Sequence, residues 1–189
     1  MNKLNHLMLG LVLCSTLSAC APVVVGGAAT GGLAAADRRT SGAYVEDEAI
    51  EWKANNRVKD KLGDKIHLNV TSFNRNVLLT GEALDADAKT QAESMTKSVE
   101  NVRNVTNELQ VGPASVLTSR SNDTYLTTRV KSAFLTENRF SANHVKVVTE
   151  NGVVYLMGIV TRKEADDAVE IARGIDGVEK VVKVFEYIE

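Results

Sequence analysis

Apolar positions in the last third of the chain change period twice, and the changes mark out a fold. Leu126, Val130, Ala133 and Phe134 recur at helical spacing behind Asn122-Asp123, which reads as a helix N-cap. His144–Thr149 then alternates, with Val145 and Val147 on one face, and Val153–Val160 forms a second extended run. Asn151-Gly152 between them is a strong hairpin signal, because a two-residue turn needs positive φ at both central positions. Thr161 and Glu164 form a capping box ahead of a second helical stripe of Ala165, Ala168, Val169, Ala172 and Ile175. Gly174 or Gly177 ends that helix, and Val178–Ile188 alternates as a third strand. The predicted order is αββαβ.

The same order occurs earlier in the chain. Ile50, Ala54, Val58 and Leu62 make a helical stripe, and strands follow near Ile66–Phe73 and Val77–Glu82. Ala88, Ala92, Met95 and Val99 make a second stripe, and a last strand is expected near Val102–Val111. Val70–Gly81 reappears as Val147–Gly158, and Val99–Val105 as Ile175–Val181, so the folded part is a tandem repeat. Asn101 stands where Gly177 stands in the second copy, and Asn tolerates the left-handed region next best after Gly. Gly81 and Gly158, at equivalent strand ends, are expected to allow close backbone or helix packing. The fold class is therefore α+β, with each copy a three-stranded sheet covered on one face by two helices. Each copy is close to the lower size limit for independent folding, so the two are expected to lean on each other or to differ in stability.

The N-terminus has a different pattern. Lys3 precedes an apolar run from Leu4 to Leu17, and Leu17-Ser18-Ala19-Cys20 closes it. This is the layout of a secretory signal peptide, too short for a comfortable bilayer span. The small residues directly before Cys20 resemble the lipobox of bacterial lipoproteins, in which the cysteine is lipidated and becomes the mature N-terminus. Cys14 leaves with the signal, so no disulfide is available. Each buried methylene contributes roughly 0.8 kcal/mol, so several acyl chains, palmitate among them, anchor a protein firmly. Residues 21–44 are rich in Gly and Ala without periodicity and read as a tether with a span of about 25–30 Å. The expected organisation is signal 1–19, lipidated Cys20 and tether 20–45, first domain 46–112, linker 113–121 and second domain 122–189.

A formal net charge of −2 gives no global attraction to nucleic acid. No cofactor or metal is expected: His6, His67 and His144 lack zinc-site spacing, and no phosphate-binding glycine loop opens a helix. Asp85 and Asp87 read as charges at a helix start. No catalytic residue is assigned, and an enzyme is not expected.

The αββαβ unit, with Leu79-Thr80-Gly81 and Leu156-Met157-Gly158 ending the second strand, resembles the BON domain. Two such units behind a lipobox and a Gly/Ala tether resemble the dual-BON outer-membrane lipoproteins of Gram-negative bacteria. Ser121–Thr124, Thr127-Thr128 and Thr149–Gly152 strengthen the resemblance. It implies a non-enzymatic lipoprotein of the outer membrane, anchored by lipid and facing the periplasm. It further implies binding of anionic, phosphatidylglycerol-like phospholipid through the first helix of the second domain. Support of envelope integrity at cell-division sites is also implied. The alternative implied by the same resemblance is a protein-interaction adaptor for the outer-membrane protein assembly machinery or for cell-wall amidase regulation, with lipid only as anchor.

On that first helix, Tyr125 lies off the apolar stripe, with Thr128, Arg129 and Ser132 on its side and Lys131 nearby. An amphipathic aromatic beside cations suits the headgroup zone. Arg139, in the following loop, is expected to join them, and the acidic second helix (Asp166, Asp167, Glu170) is expected to face away. Without the resemblance, the same residues make a plain solvated helix face. Trp52 and Lys53 on the first copy's helix either contact lipid or cover the interface between the copies.

Overall fold

The first helix starts earlier than the apolar stripe indicates. Helix α1 spans Ser41–Leu62, capped by Thr40, whose side chain accepts the Ala43 N–H at 3.1 Å. It therefore begins inside the segment expected to be tether, because Thr40 supplies a cap and Ala43 and Asp47 find buried places one turn apart. The computed structural model describes residues 37–113 and 117–189, apart from the side chains of 117–119. Cys20 and the signal lie outside the described residues.

Strands β1 (Ile66–Phe73) and β2 (Asn76–Ala83) form an antiparallel hairpin whose turn residues Asn74 and Arg75 have φ of 49° and 65°. Helix α2 (Ala86–Lys97), capped by Asp85, crosses over so that β3 (Asn104–Asn107) and β4 (Gln110–Val111) run parallel to β2. The strand expected as one piece is thus broken at Glu108-Leu109. There the Asn107 side chain accepts the Leu109 N–H at 3.3 Å and Leu109 is buried.

The second copy repeats the plan with helix α3 (Leu117–Glu137), β5 (Val145–Glu150), β6 (Val153–Val160), α4 (Arg162–Arg173) and β7 (Lys180–Tyr187). Asn151 and Gly152 take positive φ as expected, and Thr161 and Glu164 form the reciprocal capping box. Asn122-Asp123 is not a cap, since α3 already runs from Leu117. Asp123 is buried on the inner face, where its carboxylate accepts the N–H groups of Asn151 and Gly152, both at 2.9 Å. Asp47 does the same in the first copy, accepting from Asn74 N at 2.8 Å and Arg75 N at 2.7 Å. Each first helix is thereby tied to the hairpin of its own copy.

Both copies lie in one compact unit. Helices cover one face of each sheet over Val77 and Leu79 in the first copy and Val154 and Leu156 in the second. The opposite faces are not left to solvent. They pack on each other through Phe73 and Leu78 from one copy and Tyr155 and Met157 from the other. β2 and β6 are consequently buried on both sides, which accounts for the nearly unbroken apolar run of β6, while β2 also buries Thr80 and Glu82. Polar contacts frame this seam: Lys146 Nζ to Glu51 Oε1 at 3.3 Å, Asn69 to Glu150 at 2.8 Å, and Asn74 to Glu186 at 2.7 Å.

Arg38, ahead of α1, straps the first copy to the second by donating to Ile159 O at 2.8 Å and to both oxygens of Glu164 at 2.7 and 2.9 Å. Burial alone would raise the Glu164 carboxyl. Hydrogen bonds from Arg38, the Thr161 N–H and His144 outweigh it and hold the pKa at about 2 against an ordinary 4.5. A depressed carboxyl stabilises the fold above its unfolded pKa, and that contribution is lost as pH falls from about 4.5 toward 2. Arg38→Ala is expected to return the Glu164 pKa toward its ordinary value and to shrink the acid-dependent loss of stability. A carboxyl-carbon NMR titration reads the first effect, and an unchanged Glu164 curve would refute the strap.

Candidate functional site: the outer face of helix α3

Helix α3 buries Asp123, Leu126, Val130 and Phe134 toward its own sheet. The opposite side is open and carries Ser121, Tyr125, Thr128, Arg129, Ser132 and Leu135. Tyr125 is 54% exposed and Leu135 is 70% exposed, so an amphipathic ring and a branched alkyl chain are both open to solvent, Leu135 at the rim of a recess that faces the first copy. Arg129 Nη1 donates to Tyr125 Oη at 2.8 Å, and its guanidinium carbon lies 5.7 Å from the ring centroid. The pair fixes the ring beside a cation and leaves other guanidinium donors for an external anion.

The remaining expected residues divide into three groups. Ser132 lies exposed on the Tyr125 face. The hydroxyls of Thr124 and Thr128 donate to the helix's own carbonyls, Arg120 O and Thr124 O, both at 3.0 Å. They present acceptor oxygens rather than free donors. Lys131 is exposed but turned toward the first copy. It lines a recess of about 400 Å³ that also contains Glu48, Glu51, Leu135 and Lys146.

Arg139 does not join this face. The chain reverses at Asn138 (φ 48°), and Arg139 then meets Glu137 at 3.0 Å, Asp167 at 3.7 Å and Glu170 at 3.1 Å. Its charge is met by three carboxylates, and the acidic edge of α4 faces the end of α3 rather than away from it. Trp52 is 69% exposed on α1 and does not cover the interface; it occupies the first-copy position corresponding to Thr128.

Leu135 was not legible as part of the site. Its signal was an apolar residue outside the buried stripe, and stray exposed leucines are common. Among the described residues, no helix is long and apolar enough to cross a membrane.

Comparison with known proteins agrees with the architecture. The family described as the BON domain matches residues 47–113 and 122–189. The chain is similar to "Outer membrane lipoprotein DolP" of Haemophilus influenzae, with 41% identity over 175 residues covering 92% of this chain and 91% of that protein. It is 37% identical over 155 residues to "21 kDa hemolysin" of Actinobacillus pleuropneumoniae, covering 81% and 80% of the two chains. Similarity to "Osmotically-inducible protein Y" of Escherichia coli K12 is 31% over 144 residues, covering 74% and 72%.

Proposed function

The chain belongs to the BON-domain family as a two-copy member, and from that premise we propose that it is an outer-membrane lipoprotein whose second domain binds anionic phospholipid. The localisation follows the relative named as an outer membrane lipoprotein and agrees with Cys20 as the acylated residue. The lipid reading rests on one observation: the open α3 face joins the Tyr125–Arg129 pair to Leu135. Tyr125 and Leu135 enter the headgroup and upper acyl zone, while Arg129 meets phosphate. Each cation near an anionic surface contributes about 1 kcal/mol. Such weak recognition suffices, because acylation at Cys20 already holds the domain at the membrane. The protein then sorts laterally among lipids, and support of envelope integrity at division sites would follow from that sorting. No catalytic step is proposed.

Tyr125→Glu tests this reading. The change removes the ring and places a carboxylate four residues before Arg129, where the two pair on the helix surface. Binding to phosphatidylglycerol micelles, followed by backbone amide shifts, is expected to weaken at least about tenfold. Unfolding stability should stay within about 0.5 kcal/mol, as for an ordinary surface substitution. Shifts in the parent protein should cluster on 121–135. Absence of shifts there, with envelope partners still captured, would replace lipid recognition by the adaptor reading, in which the assembly machinery or an amidase regulator is the target.

A further inference from the structure

The seam between the two copies brings a third acidic or imidazole side chain to a pair that one hairpin already joins. His67 and Glu82 are register partners across β1 and β2, and Glu150 comes from the end of β5 in the other copy. One donor atom from each lies within 4.8 Å of the others. His67 Nδ1 is 2.8 Å from Glu82 Oε2, and the two carboxylates are 5% and 7% exposed.

Each carboxylate is held by a carboxamide from the opposite copy. Asn69 Nδ2 donates to Glu150 Oε2 at 2.8 Å, and Asn151 Nδ2 donates to Glu82 Oε1 at 2.9 Å. Outer hydrogen bonds of this kind orient metal ligands.

We propose that His67, Glu82 and Glu150 form a binding site for a transition-metal dication of the zinc type, which clips the first copy to the second. One imidazole nitrogen and two carboxylate oxygens suit such an ion, whereas calcium and magnesium take all-oxygen sets. Metal bonds of about 2.0–2.1 Å in a tetrahedral site separate the ligand atoms by roughly 3.4 Å. To admit the ion, His67 and Glu82, now 2.8 Å apart, part by about half an ångström, and Glu150, within 4.8 Å of both, closes by up to roughly 1.4 Å. The fourth position faces a recess of about 390 Å³ lined by Asn69, Thr127 and Thr149, through which the ion and a water enter. Arg120 and Asp123 also line it, one charge of each sign, and Asp123 is committed to its hairpin.

His144 is the second-copy counterpart of His67 and provides an internal control. Its Nδ1 is 3.1 Å from Glu164 Oε1, a carboxylate that Arg38 already occupies. The test uses the untagged, detergent-solubilised lipoprotein, stripped with chelator and titrated with zinc and with cobalt(II). Saturation at one equivalent is expected, with the visible absorption of tetrahedral cobalt and a thermal midpoint that rises with zinc concentration. His67→Gln and Glu150→Gln should each weaken binding at least about tenfold, and His144→Gln should leave it unchanged. In the parent protein, zinc should shift the ring nitrogens of His67 and not those of His144, a readout independent of how the variants fold. Absence of saturable binding, binding that survives both ligand variants, or ring shifts on His144 would each overturn the site.

Discussion

Gly81→Ala is expected to cost at least about 3 kcal/mol and to disrupt the first copy's sheet. A Cβ at this position would lie 2.1 Å from the His67 carbonyl oxygen, and the residue has φ of +108°. Neither problem can be relieved by a rotamer change, because the obstacle is backbone of the paired strand. Strain at a special φ and overpacking against fixed atoms are both among the large single-mutation effects. Gly158→Ala should act similarly in the second copy, with its Cβ 2.3 Å from the His144 carbonyl oxygen. Gly112→Ala, which would meet nothing within 4 Å, is the control. Urea unfolding of the three variants checks the ranking. A Gly81→Ala protein as stable as the Gly112→Ala protein would show that the strands do not approach as described.

Asp47→Ala is expected to cost about 3–5 kcal/mol, the range for removing one partner of a buried, hydrogen-bonded charge. The Asp47 carboxylate accepts from Ser72 Oγ at 2.7 Å, from the N–H groups of Asn74 and Arg75, and from Arg39 Nη1 at 3.0 Å. Alanine leaves the two turn amides without acceptors and removes one of the two carboxylates that hold the largely buried Arg39. Asp123→Ala should cost less, about 2–3 kcal/mol, since its carboxylate serves two backbone donors and no arginine. Hydrogen exchange at Asn74 and Arg75 should accelerate in the first variant, and at Asn151 and Gly152 in the second. Equal stabilities for the two variants would mean that Arg39 adds nothing to the anchoring.

These two positions also show why some features are legible in a sequence and others are not. The repeat aligns Asp47 with Asp123, so the pairing was visible in principle, yet Asp123 read as a helix cap. An acidic residue ahead of an apolar stripe has the same local signature whether it caps the helix or faces a turn 28 positions away. The helix starts were hidden for a related reason. Thr40, Ser41 and Gly42 at the start of α1, and the polar residues before Leu126 in α3, carry no apolar stripe, and short-range propensity there is weak. Turn chemistry was read correctly: Asn101 and Gly177 both take positive φ, at 66° and 94°. Of the candidate site, Tyr125, Thr128, Arg129 and Ser132 share a face because helical periodicity places them there. Arg139 was misread because two of its partners, Asp167 and Glu170, come from another helix.

From its sequence alone the chain determined two αββαβ units, the hairpin turn of the second, the capping box and the surface of one helix. Each of these follows from side-chain period or from backbone preference over a few residues. Only the tertiary structure decided that the bare sheet faces bury each other, that Arg38 reaches Glu164, and that His67, Glu82 and Glu150 converge. Those contacts join residues 15 to 126 positions apart. Apart from His67–Glu82, which the first hairpin pairs by register, nothing in local spacing encodes them, because they exist only once apolar burial has brought the two copies together.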